Sequence, residues 1–192
     1  AVLAVLFAIM AREKTGKGQL IDISMFDGVI SWMFDAARSA FTGESVPEKG
    51  KGRLYGGLPN YNLYETKDGK YVAVGSLETK FKNTLLKNLG RDDLIEEEKG
   101  RTTQDVTESD GELHAIFRQA FLTKTRNEWM EEFGELNICV SPVNTMEEAI
   151  SHPQAAYRKM VLDVDHPSAG RIKQIGSPLK MSNISFDVSR LP

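Results

Sequence analysis

The chain contains one cysteine, Cys139, so no internal disulfide can form. That suits a reducing, intracellular setting, and a cytoplasmic location is the expectation. There is no basic excess. The 24 Lys and Arg residues against 27 Asp and Glu leave a formal net charge of −3. The cationic surplus that nucleic-acid binding needs is therefore missing. There is also no apolar run of the roughly 20 residues that a membrane-spanning helix requires. Residues 1–11 are wholly apolar, but Arg12, Glu13 and Lys14 follow at once and no basic region precedes them. They fit neither a membrane span nor a signal peptide. No Gly-x-Ser-x-Gly elbow occurs around Ser24, Ser31 or Ser76, and the glycines match no P-loop or dinucleotide spacing. His114, His152 and His166 share no metal-ligand spacing, and no metal site is expected.

What is present suits a packed domain or two. Of the 192 residues, 41% are hydrophobic and 27% charged. Residues 1–14 hold good helix formers, with Gly16 placed to cap the C-terminus. The apolar start reads as the back half of a buried helix, so the chain is expected to be part of a longer protein. Ile21 and Ile23 alternate with Asp22 and Ser24, which predicts a strand over 19–24. Phe26, Val29, Ile30, Met33, Phe34 and Ala37 then share one face of a helix over 25–41. Residues 42–59, rich in Gly and Pro with Lys49, Lys51 and Arg53, read as a linker or an active-site loop.

From there the punctuation is clearer. Asp68-Gly69 between two aromatic and β-branched runs, 61–66 and 71–74, predicts a hairpin. A helix follows from Glu78 to about Asn88, with Phe81, Leu85, Leu86 and Leu89 inward and Gly90 beyond its end. Residues 94–110 are charged and irregular, with Glu96, Glu97 and Glu98 as a solvated face. Leu113, Ile116, Phe117, Ala120 and Phe121 predict a helix over 113–122. Thr125-x-x-Glu128 and Thr145-x-x-Glu148 are capping boxes, each opening a short helix. Residues 139–143 predict a short strand, His152-Pro153 a helical turn, and 161–164 with 172–175 a strand pair. The tail from 176 is expected to be mostly extended.

Glu78 stands out as a carboxylate between a strand end and a helix start. It can complement the helix dipole and bond free N–H groups. It can equally orient a histidine and stabilise its charged form. The three histidines are each possible acid/base groups, and Cys139, set among apolar residues, reads as a buried, inert thiol.

Three stretches resemble the family III CoA-transferases, which include the α-methylacyl-CoA racemases. Residues 12–26 are similar to the family's R-x-x-T-G-x-G-Q-x-x-D-x-S segment, and 59–81 to its Y-x-x-Y-x-T-x-D-G-x-Y-x-A-V-G-S-x-E-x-K-F segment. Residues 141–182 are similar to its P-V-x-x-x-x-E-A-x-x-x-P-Q and later H-P-x-x-G…G-x-P-x-K-x-S stretches. The resemblance implies an incomplete α/β fold: an α+β small domain plus pieces of a Rossmann-like large domain. Residues 1–41 would be a remnant of the large CoA-binding domain and 42–54 a linker. Residues 55–164 would form the small domain, and 165–192 would return toward the large one. Full-length members are interlocked homodimers acting on acyl-CoA, with no cofactor beyond coenzyme A as part of the substrate.

Two enzymatic branches stay open. A racemase would remove and return the α-proton of a 2-methylacyl-CoA with a His and an Asp. A CoA-transferase would carry the acyl group on an Asp as a mixed anhydride. Neither the family's catalytic His nor its catalytic Asp matches a residue of this chain. A non-enzymatic dimerisation or binding module is the third possibility. Racemase-like members carry a glutamate at the position of Glu78 that pairs with the catalytic His, although Thr79 replaces a proline common there. The resemblance makes Glu78 a supporting residue, and Tyr61, Gly75, Ser76 and Leu77 substrate-binding residues.

Overall fold

A computed structural model describes residues 1–43, 48–97 and 110–184. The side chains of Glu96, Glu97 and Glu98 and the tail beyond Ile184 lie outside the described residues. The chain divides into two compact units, Ala1–Gly52 and Arg53–Pro192. The α/β class expected from the sequence is the one observed, with helices and small antiparallel sheets.

Among the described residues of the first unit, the regular elements are helices. Helix α1 (Val2–Thr15) ends at Gly16, which takes φ 69° and closes the last turn by donating to the Arg12 carbonyl. Residues 19–24 do not form the expected strand. A strand needs a neighbour for its backbone groups, and the described part of this unit contains no other. Ser24 instead caps α2 (Met25–Trp32) by accepting from the Asp27 N–H. The single helix expected over 25–41 breaks at Met33, and α3 (Phe34–Thr42) follows. Ser31 returns its hydroxyl to the Gly28 carbonyl at 2.7 Å, the kind of back-bond that bends helices. Neither α1 nor α2 buries a residue, so Leu3, Phe7, Phe26 and Val29 all stand exposed.

The second unit is built on a three-stranded antiparallel sheet, β1 (Tyr61–Glu65), β2 (Tyr71–Gly75) and β3 (Val140–Val143), with β2 central. The Asp-Gly hairpin forms as expected, with Gly69 at φ 71° in the turn. Tyr64 pairs with Val72, and Val72 with Pro142. Pro142 lacks an N–H and is tolerated because β3 is an edge strand.

Period-two alternation sends Tyr64, Val72 and Val74 to one face of the sheet. There they meet α4 (Thr79–Asn88), α6 (Asp110–Phe121) and α7 (Arg126–Phe133) in one core with Leu85, Leu86, Leu113, Phe117, Phe121, Trp129 and Phe133. Helix α5 (Asp93–Glu97) adds Leu94. Phe121 is fully buried, with the Tyr64 ring stacked at 5.1 Å and Trp129 edge-on at 5.4 Å. Both predicted capping boxes are present, at α7 and at α8 (Met146–Ile150). His152 caps α9 (Pro153–Tyr157), and β4 (Val161–His166) pairs with β5 (Gly170–Ile175) as a separate two-stranded sheet.

A charged group at the sheet end was not visible in the periodicity. Arg126, buried at the start of α7, donates to both carboxylate oxygens of Glu148 at 2.6 and 2.8 Å and to the Val143 carbonyl. Lys70 donates to the same carboxylate at 3.0 Å. Asp68 in the hairpin turn accepts from the Arg126 N–H and the Thr66 hydroxyl. Arg126 thus ties the turn through its backbone N–H, and the end of β3 and the start of α8 through its guanidinium. It also holds the Glu148 carboxyl well below the usual carboxylate range.

Two predictions follow from this packing. Phe121→Ala removes a ring from a site with no exposure, and should cost about 3–5 kcal/mol in urea denaturation of the chain. Because the folded-state pKa of Glu148 lies below its unfolded value, its contribution is present above about pH 4.3 and is lost as pH falls further. Glu148→Gln should lower the denaturation midpoint at pH 7 and flatten its decline between about pH 5 and 3.

Candidate functional site

Tyr61, Leu63, Ala73 and Gly75 alternate onto the face of the sheet away from the aromatic core, opposite to Tyr64, Val72 and Val74. With Leu54, Tyr55 and Gly56 on one side and Cys139, Val140 and Ser141 on the other, they line a cleft of about 680 Å³. Tyr61 pairs with Gly75 in the ladder. A Cβ at Gly75 would lie 3.8 Å from the Tyr61 ring and 3.9 Å from the Cys139 Cβ, an ordinary contact that narrows the cleft. Among the described residues, no Lys, Arg, His, Asp or Glu lines it. The wall is apolar apart from Asn62, Cys139, Ser141 and the tyrosine hydroxyls, so the cleft suits an uncharged group with apolar surface.

The wall segment before β1 is held by its own carbonyl groups. Gly56 O accepts from the Asn62 amide at 3.2 Å, Leu58 O from the Tyr61 N–H at 3.1 Å, and Pro59 O from the Tyr64 hydroxyl at 2.6 Å. Gly57 O lies 3.1 Å from His114 Nε2. A carbonyl can only accept, so Nε2 carries the proton. His114 Nδ1 meets the Tyr64 hydroxyl at 3.2 Å. His114 therefore serves here as a structural brace rather than as an acid/base group in the cleft. Burial pushes the Tyr64 phenol above its ordinary range.

The candidates named from the sequence divide between the cleft and its rim. Tyr61 and Gly75 line it. Ser76, Leu77 and Glu78 follow in the turn to α4 and are not part of the lining. Ser76 is fully buried, and its Oγ has no hydrogen-bond partner. Glu78 is exposed and occupies the N-cap position of α4 with extended backbone, φ −73° and ψ 139°. Its side chain makes no capping hydrogen bond, so it does not satisfy the free N–H groups as a helix-start residue would. The carboxylate is left open toward solvent.

Cys139 is corrected. It is exposed on the cleft wall, not buried. Its apolar neighbours in sequence alternate across β3, and it immediately precedes that strand beside the cleft. His152 Nδ1 accepts from the Gln154 N–H, and His166 Nδ1 from the N–H groups of Ser168 and Ala169. Both are turn and cap acceptors. Sequence reading missed the braces Asn60 and His114 because their role comes from residues 16 and 57 positions away. Among the described residues, no group of three or more His, Cys, Asp or Glu could hold a metal ion, and no helix is long and apolar enough to cross a membrane.

Residues 1–192 match the family described as CoA-transferase family III. The chain belongs to CoA-transferase family III. It is 35% identical over 157 residues to the alpha-methylacyl-CoA racemase of Mus musculus, covering 78% of this chain and 38% of that protein. It is 25% identical over 189 residues to the succinyl-CoA:glutarate CoA-transferase of Homo sapiens, covering 98% and 43%. Among solved structures, a CAIB/BAIF family protein from Brucella suis superposes with a TM-score of 0.72 at 22% identity, over 97% of this chain and 47% of that one. The chain thus spans less than half the length of these relatives.

The exposure of Cys139 is directly checkable in this family III chain. An aromatic disulfide reagent should label it in the native state within about tenfold of the rate in denaturant. Gly75→Phe, which fills the neighbouring cleft, should slow that labelling without unfolding the chain.

Proposed function

We propose that the protein to which this chain belongs is an enzyme that racemises 2-methylacyl-CoA thioesters by removing and returning the α-proton. The observation that carries this reading is the uncharged, apolar cleft of about 680 Å³ beside the Gly75–Glu78 turn. An apolar branched acyl group can be desolvated there. A terminal carboxylate would find no cation among the described lining residues to offset its lost hydration. The similarity to alpha-methylacyl-CoA racemases adds support.

On this reading the acid/base His and Asp come from a segment outside the chain, in an interlocked homodimer, and coenzyme A enters only as part of the substrate. Glu78, uncommitted to its own helix, accepts the N–H of that histidine and stabilises its charged form as it takes the α-proton. Tyr61 and Gly75 shape the acyl side of the site, and Ser76 and Leu77 set the turn. The isolated chain is inactive. The rival reading is a CoA-transferase that moves CoA between carboxylic acids through an aspartyl anhydride. It draws on transferase relatives matched over 98% of the chain.

Full-length protein distinguishes the two. With a 2-methylacyl-CoA in deuterated water and no acceptor acid, deuterium should enter at the α-carbon. CoA transfer that depends on an added carboxylate, without that exchange, would sink the racemase reading. Glu78→Gln should lower the exchange rate about 10-fold or more at unchanged melting temperature.

A further inference from the structure

The Gly75–Glu78 turn is joined to the cleft wall through one buried side chain. Asn60 is 3% exposed. Its amide Nδ2 donates to the Ser76 carbonyl at 2.7 Å, and its own carbonyl accepts from the Ser76 N–H at 2.9 Å. Both backbone groups of Ser76 are therefore taken by one residue. The second bond continues the β1–β2 ladder one step past the Tyr61–Gly75 pair. The first has no counterpart in a sheet. Gly75 N–H donates to the Cys139 carbonyl at 2.7 Å, and the Leu77 N–H to the Gly75 carbonyl at 3.0 Å. The Glu78 carbonyl accepts from Phe81 and Lys82 as α4 begins. The path from the strand to Glu78 is thus held at each end by backbone bonds and at Ser76 by Asn60.

The wall end of this joint is equally fixed. Carbonyls 56 to 60 are five in succession, and each faces a hydrogen-bonding group: Asn62, His114, Tyr61, Tyr64 and Ser76 in turn. Asn60 is the residue at which this braced wall meets the turn. A side-chain amide there fits because only a donor can face the Ser76 carbonyl, and the position is too buried for water to substitute.

From this geometry we infer that Asn60 is a positioning residue: it sets the direction of the Glu78 carboxylate relative to the cleft by clamping Ser76 to the wall. The inference rests on the reading of Glu78 as the group that orients a histidine. A carboxylate two residues beyond the clamp is aimed only if Ser76 is held. Loss of the clamp should leave substrate binding in the cleft intact and impair the step that depends on Glu78.

The test has two arms. In this chain, Asn60→Ala keeps the backbone carbonyl that pairs with the Ser76 N–H but removes the amide that holds the Ser76 carbonyl, and should speed hydrogen exchange at the Leu77 amide at least about 10-fold, while Val72 and Leu85 in the core stay protected. Retained protection at Leu77 overturns the clamp whatever the enzyme does. In the full-length protein, Asn60→Ala should lower kcat for α-proton exchange of a 2-methylacyl-CoA about 10-fold, with KM within about twofold. In a Glu78→Gln background the same substitution should cost less than about twofold, because the group it aims is gone. Losses that multiply, or a fall in melting temperature with kcat unchanged, make Asn60 purely structural and overturn the proposal.

Asn60→Asp provides an isosteric control. Its ionised carboxylate cannot donate to Ser76, so activity relative to wild type should recover as pH falls and the carboxyl gains its proton. A flat ratio with pH counts against the bond. If wild-type protein shows acceptor-dependent CoA transfer instead of exchange, the racemase reading fails. The same double-mutant cycle is then read on the transfer rate, and an independent effect of Asn60 there also overturns the positioning role.

Discussion

Strand β2 is the constraint on which the larger unit depends. It has a hydrogen-bonded neighbour on each edge, so its register is set from both sides. Its two faces have opposite tasks. Val72 and Val74 seal the aromatic core, while Ala73 and Gly75 leave room on the other face for the cleft. A one-residue slip would exchange these sets, placing small residues in the core and valines in the cleft. Core stability and cleft shape are therefore set by one register. The same strand delivers the chain to the Gly75–Glu78 turn, so the position of the candidate carboxylate is inherited from it.

Polar groups in this unit mostly do positional work. Arg126 and Glu148 lock the hairpin turn to two helix starts at one end of the sheet. Asn60, Tyr64 and His114 brace the cleft wall at the other. The Asn60 amide, the Tyr64 hydroxyl and His114 Nε2 each meet a carbonyl, which keeps a loop with little regular structure in one conformation. Glu78 is the contrast. It sits where a capping residue would, yet makes no capping bond. A carboxylate held in place by its backbone and left open by its side chain suits an interaction with a group outside this unit.

Much of the second unit was legible because its signals are local. Asp68-Gly69, the two capping boxes, His152-Pro153 and the 167–170 turn each specify a conformation within four or five residues, and all formed. Alternation and helical spacing likewise identified most of the core. The misses came where a partner was needed. Residues 19–24 alternate well enough for a strand but find no partner strand among the described residues of their unit, and the helix over 25–41 breaks at Met33, just after Ser31 bonds back to Gly28. The apolar neighbours of Cys139 suggest burial, yet it stands exposed on the cleft wall.

The candidate site shows the same division. Residue order and type alone determined the hairpin, the strand-to-helix junction and the presence of a glutamate at that junction, since each depends on neighbours in sequence. Only the tertiary structure decided that Tyr61 and Gly75 face a cleft while Ser76 is buried behind it. It also turned His114 into a brace and joined Asn60 to Ser76. Those outcomes depend on contacts between residues 16 to 57 positions apart, and such contacts exist only once the sheet has closed on its core.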